Sequence, residues 1–132
     1  MRILSCLLIG SALSFGCASS PQAPSGRLPL TTTLQVGQQV TVSGFTARFV
    51  GITNDSRCPI DANCIVAGDA TLRFDLSANQ RTAPYDIQVE AQARRRAAHE
   101  GFFIEVQSLT PYPAGTRSIP QDEYRVTVQI GR

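Results

Sequence analysis

Few side chains in this 132-residue chain have the types and spacing for chemistry, and most of them lie in two short stretches. The first is "DSRCPIDANC", Asp55 to Cys64, which places Cys58 and Cys64 six positions apart among two aspartates, a proline and an asparagine. The second is "RRRAAHE", Arg94 to Glu100, which holds three consecutive arginines and the only histidine, His99. Three kinds of chemistry compete for the cysteine stretch. Zinc requires four nitrogen or sulfur ligands, and the two cysteines with His99 cannot complete that set. Calcium would use oxygen, and Asp55, Asp61, Asn63 and Asp69 are close in sequence, but their spacing is not that of an EF-hand loop. A redox pair is usually C-x-x-C at a helix start, where the dipole lowers a thiol pKa, and nothing near Cys58 predicts a helix.

A structural disulfide between Cys58 and Cys64 is the remaining reading. It closes a loop of about seven residues, worth roughly 2–2.5 kcal/mol in the loop-entropy model. Pro59 stiffens the start of that loop, and Asp61 and Asn63 form turns by bonding their own backbone. A braced loop of this kind suits recognition, so Asp55, Arg57, Pro59, Asp61 and Asn63 are the candidate binding residues. Neither a metal nor a cofactor is expected.

The second stretch points to no reaction. His99 could act as a general base, but a base needs a nucleophile or metal beside it, and the sequence identifies neither. On a polar segment it is expected at the surface. Arg94, Arg95 and Arg96 could meet an anionic surface such as lipid headgroups or a polysaccharide, yet a run of three on a loop is ordinarily just solvated. No nucleophile elbow, phosphate-binding glycine loop or zinc-protease motif occurs. The chain is therefore not expected to be an enzyme.

The N-terminus supplies an address. Met1-Arg2 carries one positive charge, and Ile3 to Phe15 is an almost unbroken apolar run without an acid. A run of about a dozen such residues is too short for a stable membrane span and has the length of a secretory signal. "LSFGC" resembles a bacterial lipobox, with Gly16 before Cys17 as the residue to be acylated, although Ser14 stands where a branched apolar residue is usual. Ordinary cleavage after Ala18 is the alternative. The small, polar "ASSPQAPSGR" that follows suits a tether and favours the lipoprotein reading. The expected organisation is a signal peptide over residues 1–16, a lipidated Cys17 and tether over 17–30, and one domain over 31–132. Cys6 leaves with the signal, so Cys58 and Cys64 remain as an even pair in an oxidising compartment. Ala18 after the cysteine favours the outer membrane in a Gram-negative cell. The net charge of +2 falls to +1 once Arg2 is lost, which gives no case for nucleic acid.

Alternation with period two dominates the elements that must position these residues. In "EYRVTVQI", Tyr124, Val126, Val128 and Ile130 face one way. "DATLRFDL" repeats the pattern with Ala70, Leu72, Phe74 and Leu76, and "YDIQVEA" with Tyr85, Ile87, Val89 and Ala91. "GFFIEVQSL" places Phe102, Ile104 and Val106 inward, with Phe103 and Leu109 on the second face. "LQVGQQVTV" reads as two short strands around a turn at Gly37, and "FTARFVGI" sets Phe45, Ala47 and Phe49 on one side. Residues 90–100 lack an apolar stripe and fit a hairpin extension, a single helical turn or a mobile loop; the favoured reading is a polar hairpin end joining the strand at Tyr85 to that at Phe102. About seven strands with no helix to cover them predict an all-β, antiparallel β-sandwich or small barrel. "PYPAG" reads as a rigid strand exit whose Tyr112 caps the core.

"DSRCP", a second cysteine and then "AG" opening an alternating strand, with the later "LTPYP" and a closing alternating strand, resembles a group of small exported bacterial lipoproteins of uncharacterised function. That resemblance covers most of the mature chain. An aromatic often stands two positions after the second cysteine in that group, where this chain has Val66. The resemblance implies export and lipidation and carries over no catalytic residue. The functional expectation is an envelope-anchored monomer that binds an envelope protein or glycan, held to the membrane through Cys17. A secreted inhibitor of a protease or lysozyme is the alternative, since preorganised loops lose less entropy on binding. The direction of Pro59 and Ile60 separates a projecting loop from one packed flat on the domain.

Overall fold

The computed structural model describes residues 27–132. The expected signal peptide, Cys6, the expected lipidation site Cys17 and most of the expected tether lie outside the described residues. The tether ends earlier than expected, because Leu28 and Leu30 already pack on the core and Leu30 opens the first strand.

Eight strands form two four-stranded antiparallel sheets. In chain order they are β1 Leu30–Gln35, β2 Gln39–Val42, β3 Phe45–Asp55, β4 Ala70–Ala78, β5 Arg81–Gln88, β6 Arg96–His99, β7 Phe102–Thr110 and β8 Arg125–Gly131. One sheet runs β1-β8-β7-β6 and the other β2-β3-β4-β5. Every strand thus lies beside its sequence neighbour, except where the chain crosses between sheets from β1 to β2 and from β5 to β6. The two expected strands around Gly37 exist, but they belong to different sheets. The result is a sandwich, not a closed barrel.

Alternation is the physical reason for this layering. Each strand hides one face, and the hidden faces meet in one core that includes Phe45, Phe49, Phe74, Leu72, Ile104 and Ile130, all fully buried. Phe45 of one sheet stacks on Phe102 of the other, centroids 5.1 Å apart, and Phe49 stacks on Phe74 at 5.2 Å. The outer faces are polar and cross-linked by short pairs, such as Thr41 with Thr46 (2.8 Å) and the Arg73–Asp86 ion pair.

Three expectations are corrected. Leu109 is buried, because the register between β7 and β8 skips Gln107, and one extra residue returns the following side chains to the inner face. Residues 90–100 do not form a hairpin end between β5 and β7. They cross to the other sheet through a single 3-10 turn, Gln92–Arg94, and then form β6, an edge strand paired with β7. An edge strand of four residues turns only Ala97 and His99 inward, so it carries almost no hydrophobic signal. The arginine run is consequently dispersed. Arg94 bonds Gln88 and Arg96 lies over the Phe103 ring, 3.5 Å from its centroid. The Phe103 ring in turn covers Gly131, where a Cβ would come within 2.3 Å of it.

The connections are sorted by end. The β2–β3, β4–β5 and β6–β7 turns each have two residues with positive φ, Ser43-Gly44, Asn79-Gln80 and Glu100-Gly101, as type I′ hairpins require. All three lie at one end of the sandwich. The four longer connections, including the cysteine loop and residues 111–124, lie at the other. Truncation of Phe45 to Ala should cost about 3–5 kcal/mol, because it opens a cavity between the sheets and removes the stack on Phe102. Urea unfolding followed by circular dichroism measures that loss.

Candidate functional site

The cysteine stretch sits at the end with the long connections, between β3 and β4. Cys58 and Cys64 are joined by a disulfide. The loop beneath it is held by a buried ion pair. Arg57 is only 3% exposed. Its Nε and Nη2 donate to the two carboxylate oxygens of Asp55 at 2.8 and 2.7 Å. Its Nη1 donates to the Leu109 carbonyl at 3.1 Å, and Nη2 also to the Pro111 carbonyl at 2.9 Å. The Tyr112 ring lies over the guanidinium, 4.7 Å away, and Tyr124 donates its hydroxyl proton to Asp55 at 2.8 Å. A guanidinium suits this position because its planar fork meets a carboxylate with two bonds and leaves donors for carbonyls.

Two further bonds dock the loop on residues 113–115. The Ile60 amide donates to the Pro113 carbonyl at 3.0 Å, and the Gly115 amide donates to Asp61 Oδ1 at 2.8 Å. The 111–124 connection is itself fixed to β3, since the Gln121 amide group exchanges two hydrogen bonds with the Ile52 backbone at 2.9 and 3.0 Å. Gly68 explains the "AG" that precedes β4. A Cβ there would fall 1.4 Å from the Ser56 carbonyl oxygen, so only glycine lets the two stems of the loop close. Asp69 completes the closure by accepting from the amides of Ala70, Val89 and Glu90 at 2.7–3.0 Å.

The candidate binding residues therefore divide. Asp55 and Arg57 pair with each other at the base of the loop, where both also line a cleft. Pro59 is half-buried in that base, whereas Asp61 and Asn63 are exposed. Asp69, close in sequence to a possible calcium set, spends its oxygens on backbone amides. Among the described residues no group of three or more His, Cys, Asp and Glu gathers in metal-binding geometry. Tyr112 covers Arg57 and is 44% exposed, so it caps an ion pair and not the core. His99 is buried, not on the surface. Its Nε2 lies 3.0 Å from the Arg81 carbonyl, which can only accept, so Nε2 carries the proton and Nδ1 accepts from the Tyr85 hydroxyl at 3.1 Å. Through these bonds it joins β6 to β5.

Sequence reasoning missed the feature that distinguishes this end. Ile60, Ile65 and Val66 are 73%, 103% and 78% exposed. Two adjacent aliphatics between Cys64 and Gly68, outside the phase of any strand, were the available signal. A cleft of about 300 Å³ opens between the base of the loop and residues 113–119, and none of the three aliphatics lines it. Its two guanidiniums are engaged, Arg57 with Asp55 and Arg117 with Glu123, which leaves hydroxyls of Thr116 and Ser118 and the Ile119 side chain as its free lining. Comparisons of the chain with protein-family models, with curated proteins and with solved structures return no match.

Burial alone would raise the Asp55 carboxyl, but hydrogen bonds from Arg57 and Tyr124, with the Arg57 charge, outweigh it and hold Asp55 below its ordinary 3.8. Burial and the Asp55 carboxylate push the Tyr124 hydroxyl up from 10.0 to about 12. A lowered carboxyl stabilises the fold above its unfolded value and stops doing so as pH falls through the folded one. A raised phenol stabilises below pH 10 and is lost as pH rises towards 12. Stability should thus fall below about pH 3.8 and again above pH 10. The chain has no lysine to titrate across the alkaline limb. Asp55→Asn should flatten the acid limb and cost about 3 kcal/mol at neutral pH by stranding Arg57, and Tyr124→Phe should flatten the alkaline limb. Urea midpoints from pH 2 to 12 check both.

Proposed function

We propose that this protein is an envelope lipoprotein, anchored through Cys17, that serves as a binding module and meets its partner with the exposed aliphatics of the β3–β4 connection, Ile60 within the Cys58–Cys64 ring and Ile65 and Val66 just after it. The observation that supports this reading is the exposure of Ile60, Ile65 and Val66 on a loop whose base is fastened by a buried ion pair. Aliphatic side chains held in water do nothing for the fold. They gain free energy only when a partner covers them, and a fixed loop loses little entropy in being covered. Aliphatic groups favour a protein over a glycan, because sugars stack on aromatic rings and this tip offers none.

The inhibitor reading keeps one specific support. A disulfide-closed loop with a fastened base is preorganised and would lose little entropy on entering a cleft in another protein.

The test immobilises full-chain protein and compares wild type with Ile65→Asp/Val66→Asp in capture from envelope extract. One specific protein should be retained by wild type, with its affinity lowered on the order of 10–100-fold by the double substitution, while the thermal midpoint stays unchanged. Equal retention by both forms would contradict the reading. Inhibition of a protease or lysozyme by wild type, abolished by the same substitution, would place the protein in the second class.

A further inference from the structure

We infer that the Ile60–Ile65–Val66 tip points away from the membrane that holds Cys17, and that it contacts a protein on that far side and not lipid. This rests on the anchoring proposed above and adds the direction in which the domain faces and the class of partner the tip takes.

Exposed aliphatics on a rigid loop fit two occupants, a bilayer or a protein, and the tip alone does not choose between them. The topology does. The chain joins the domain at Leu28 and runs along β1, whose Leu30 pairs with Ile130 near the C-terminus and whose Gln35 pairs with Arg125 beside the long connections. The junction with the tether therefore lies at the end with the tight turns, and the cysteine loop lies at the opposite end. A nine-residue strand such as β4 separates them by about 30 Å at ~3.3 Å per residue.

The chain between the anchor and the domain is short. Ten residues, 18–27, separate Cys17 from Leu28. Ten residues reach at most roughly 35 Å, and only when fully stretched. Pressing Ile65 into the same bilayer would turn the domain over and force the tether to near-full extension along its flank. Lying on its side would instead set polar sheet faces, with Arg73, Asp86 and Thr46, against lipid. Upright, the domain brings the tight-turn end towards the membrane, and that end suits it. An apolar recess of about 430 Å³, lined by Leu28, Pro29 and Phe103 with Arg132 at its edge, opens there.

The chain contains no tryptophan, so one introduced indole reports one site. Full-chain, acylated Arg27→Trp and Ile65→Trp proteins are reconstituted into phosphatidylethanolamine–phosphatidylglycerol vesicles carrying dansyl-labelled headgroups. Both replaced residues are exposed, so both variants should fold. Energy transfer from residue 27 should exceed that from residue 65. Equal or stronger transfer from residue 65 would overturn the orientation while leaving the anchor intact. Failure of the proteins to float with the vesicles would overturn the anchor, and the inference with it. In growing cells, a photoreactive residue in place of Ile65 should give one discrete protein adduct that Val66→Asp removes. Adducts with lipid alone, or none, would overturn the assignment of the occupant.

Discussion

A guanidinium out of water needs partners for its nitrogens, and Arg57 finds one for each of its three by gathering groups from both sheets. Its counter-charge, Asp55, is the last residue of β3. Its carbonyl acceptors, Leu109 and Pro111, lie at the end of β7 in the other sheet. Unpaired, the buried charge would cost several kcal/mol; paired and bonded as it is, it has a single arrangement. That arrangement ties two of the long connections, the cysteine loop and residues 111–124, together at one end of the sandwich. The disulfide acts above it and more locally, by limiting the shapes of the tip.

This division explains how an apolar tip can stay in water. Were Ile60, Ile65 and Val66 on a loose loop, they would fold back on the nearest apolar surface. Pro59, the Ile60 amide and the Asp61 carboxylate instead fasten the loop to residues 113–115, so the tip is held out. The other end of the sandwich is built on the opposite principle. Three two-residue turns close the hairpins with almost no surface of their own, so differences in chemistry between the ends come from loop length and not from the strands.

Much of the fold could be read directly from alternation. Period alone places Ala70, Leu72, Phe74 and Leu76 of β4 and Val126, Val128 and Ile130 of β8 on the inner face, and tight burial follows because a half-polar strand has only one face to hide. Period says nothing about pairing, which is why β1 and β2 read as neighbours although they lie in different sheets. It also fails at a bulge, as for Leu109, and on a short edge strand such as β6, where alanine and histidine carry the inward face. At the site, the cysteine pair was legible because its spacing and expected compartment constrain it. The roles of Asp55 and Arg57 were not, because the carbonyls that define them come from 52 and 54 residues later in the chain. Tyr124 looked like an ordinary strand residue for the same reason. Ile65 was overlooked because exposure cannot be read from hydrophobicity.

The claim that the Arg57 bonds hold the loop in place is tested most directly by amide hydrogen exchange of wild type against Arg57→Lys. Lysine keeps the charge but cannot fork across Asp55 while reaching two carbonyls. The account predicts that the Ile60 and Gly115 amides, which bond across the docked loop, exchange much faster in the variant, while those of Leu72 and Val128 in the sheet interiors keep their protection. Unchanged protection at Ile60 and Gly115 would contradict it, and would mean that the disulfide and the turns alone set the loop.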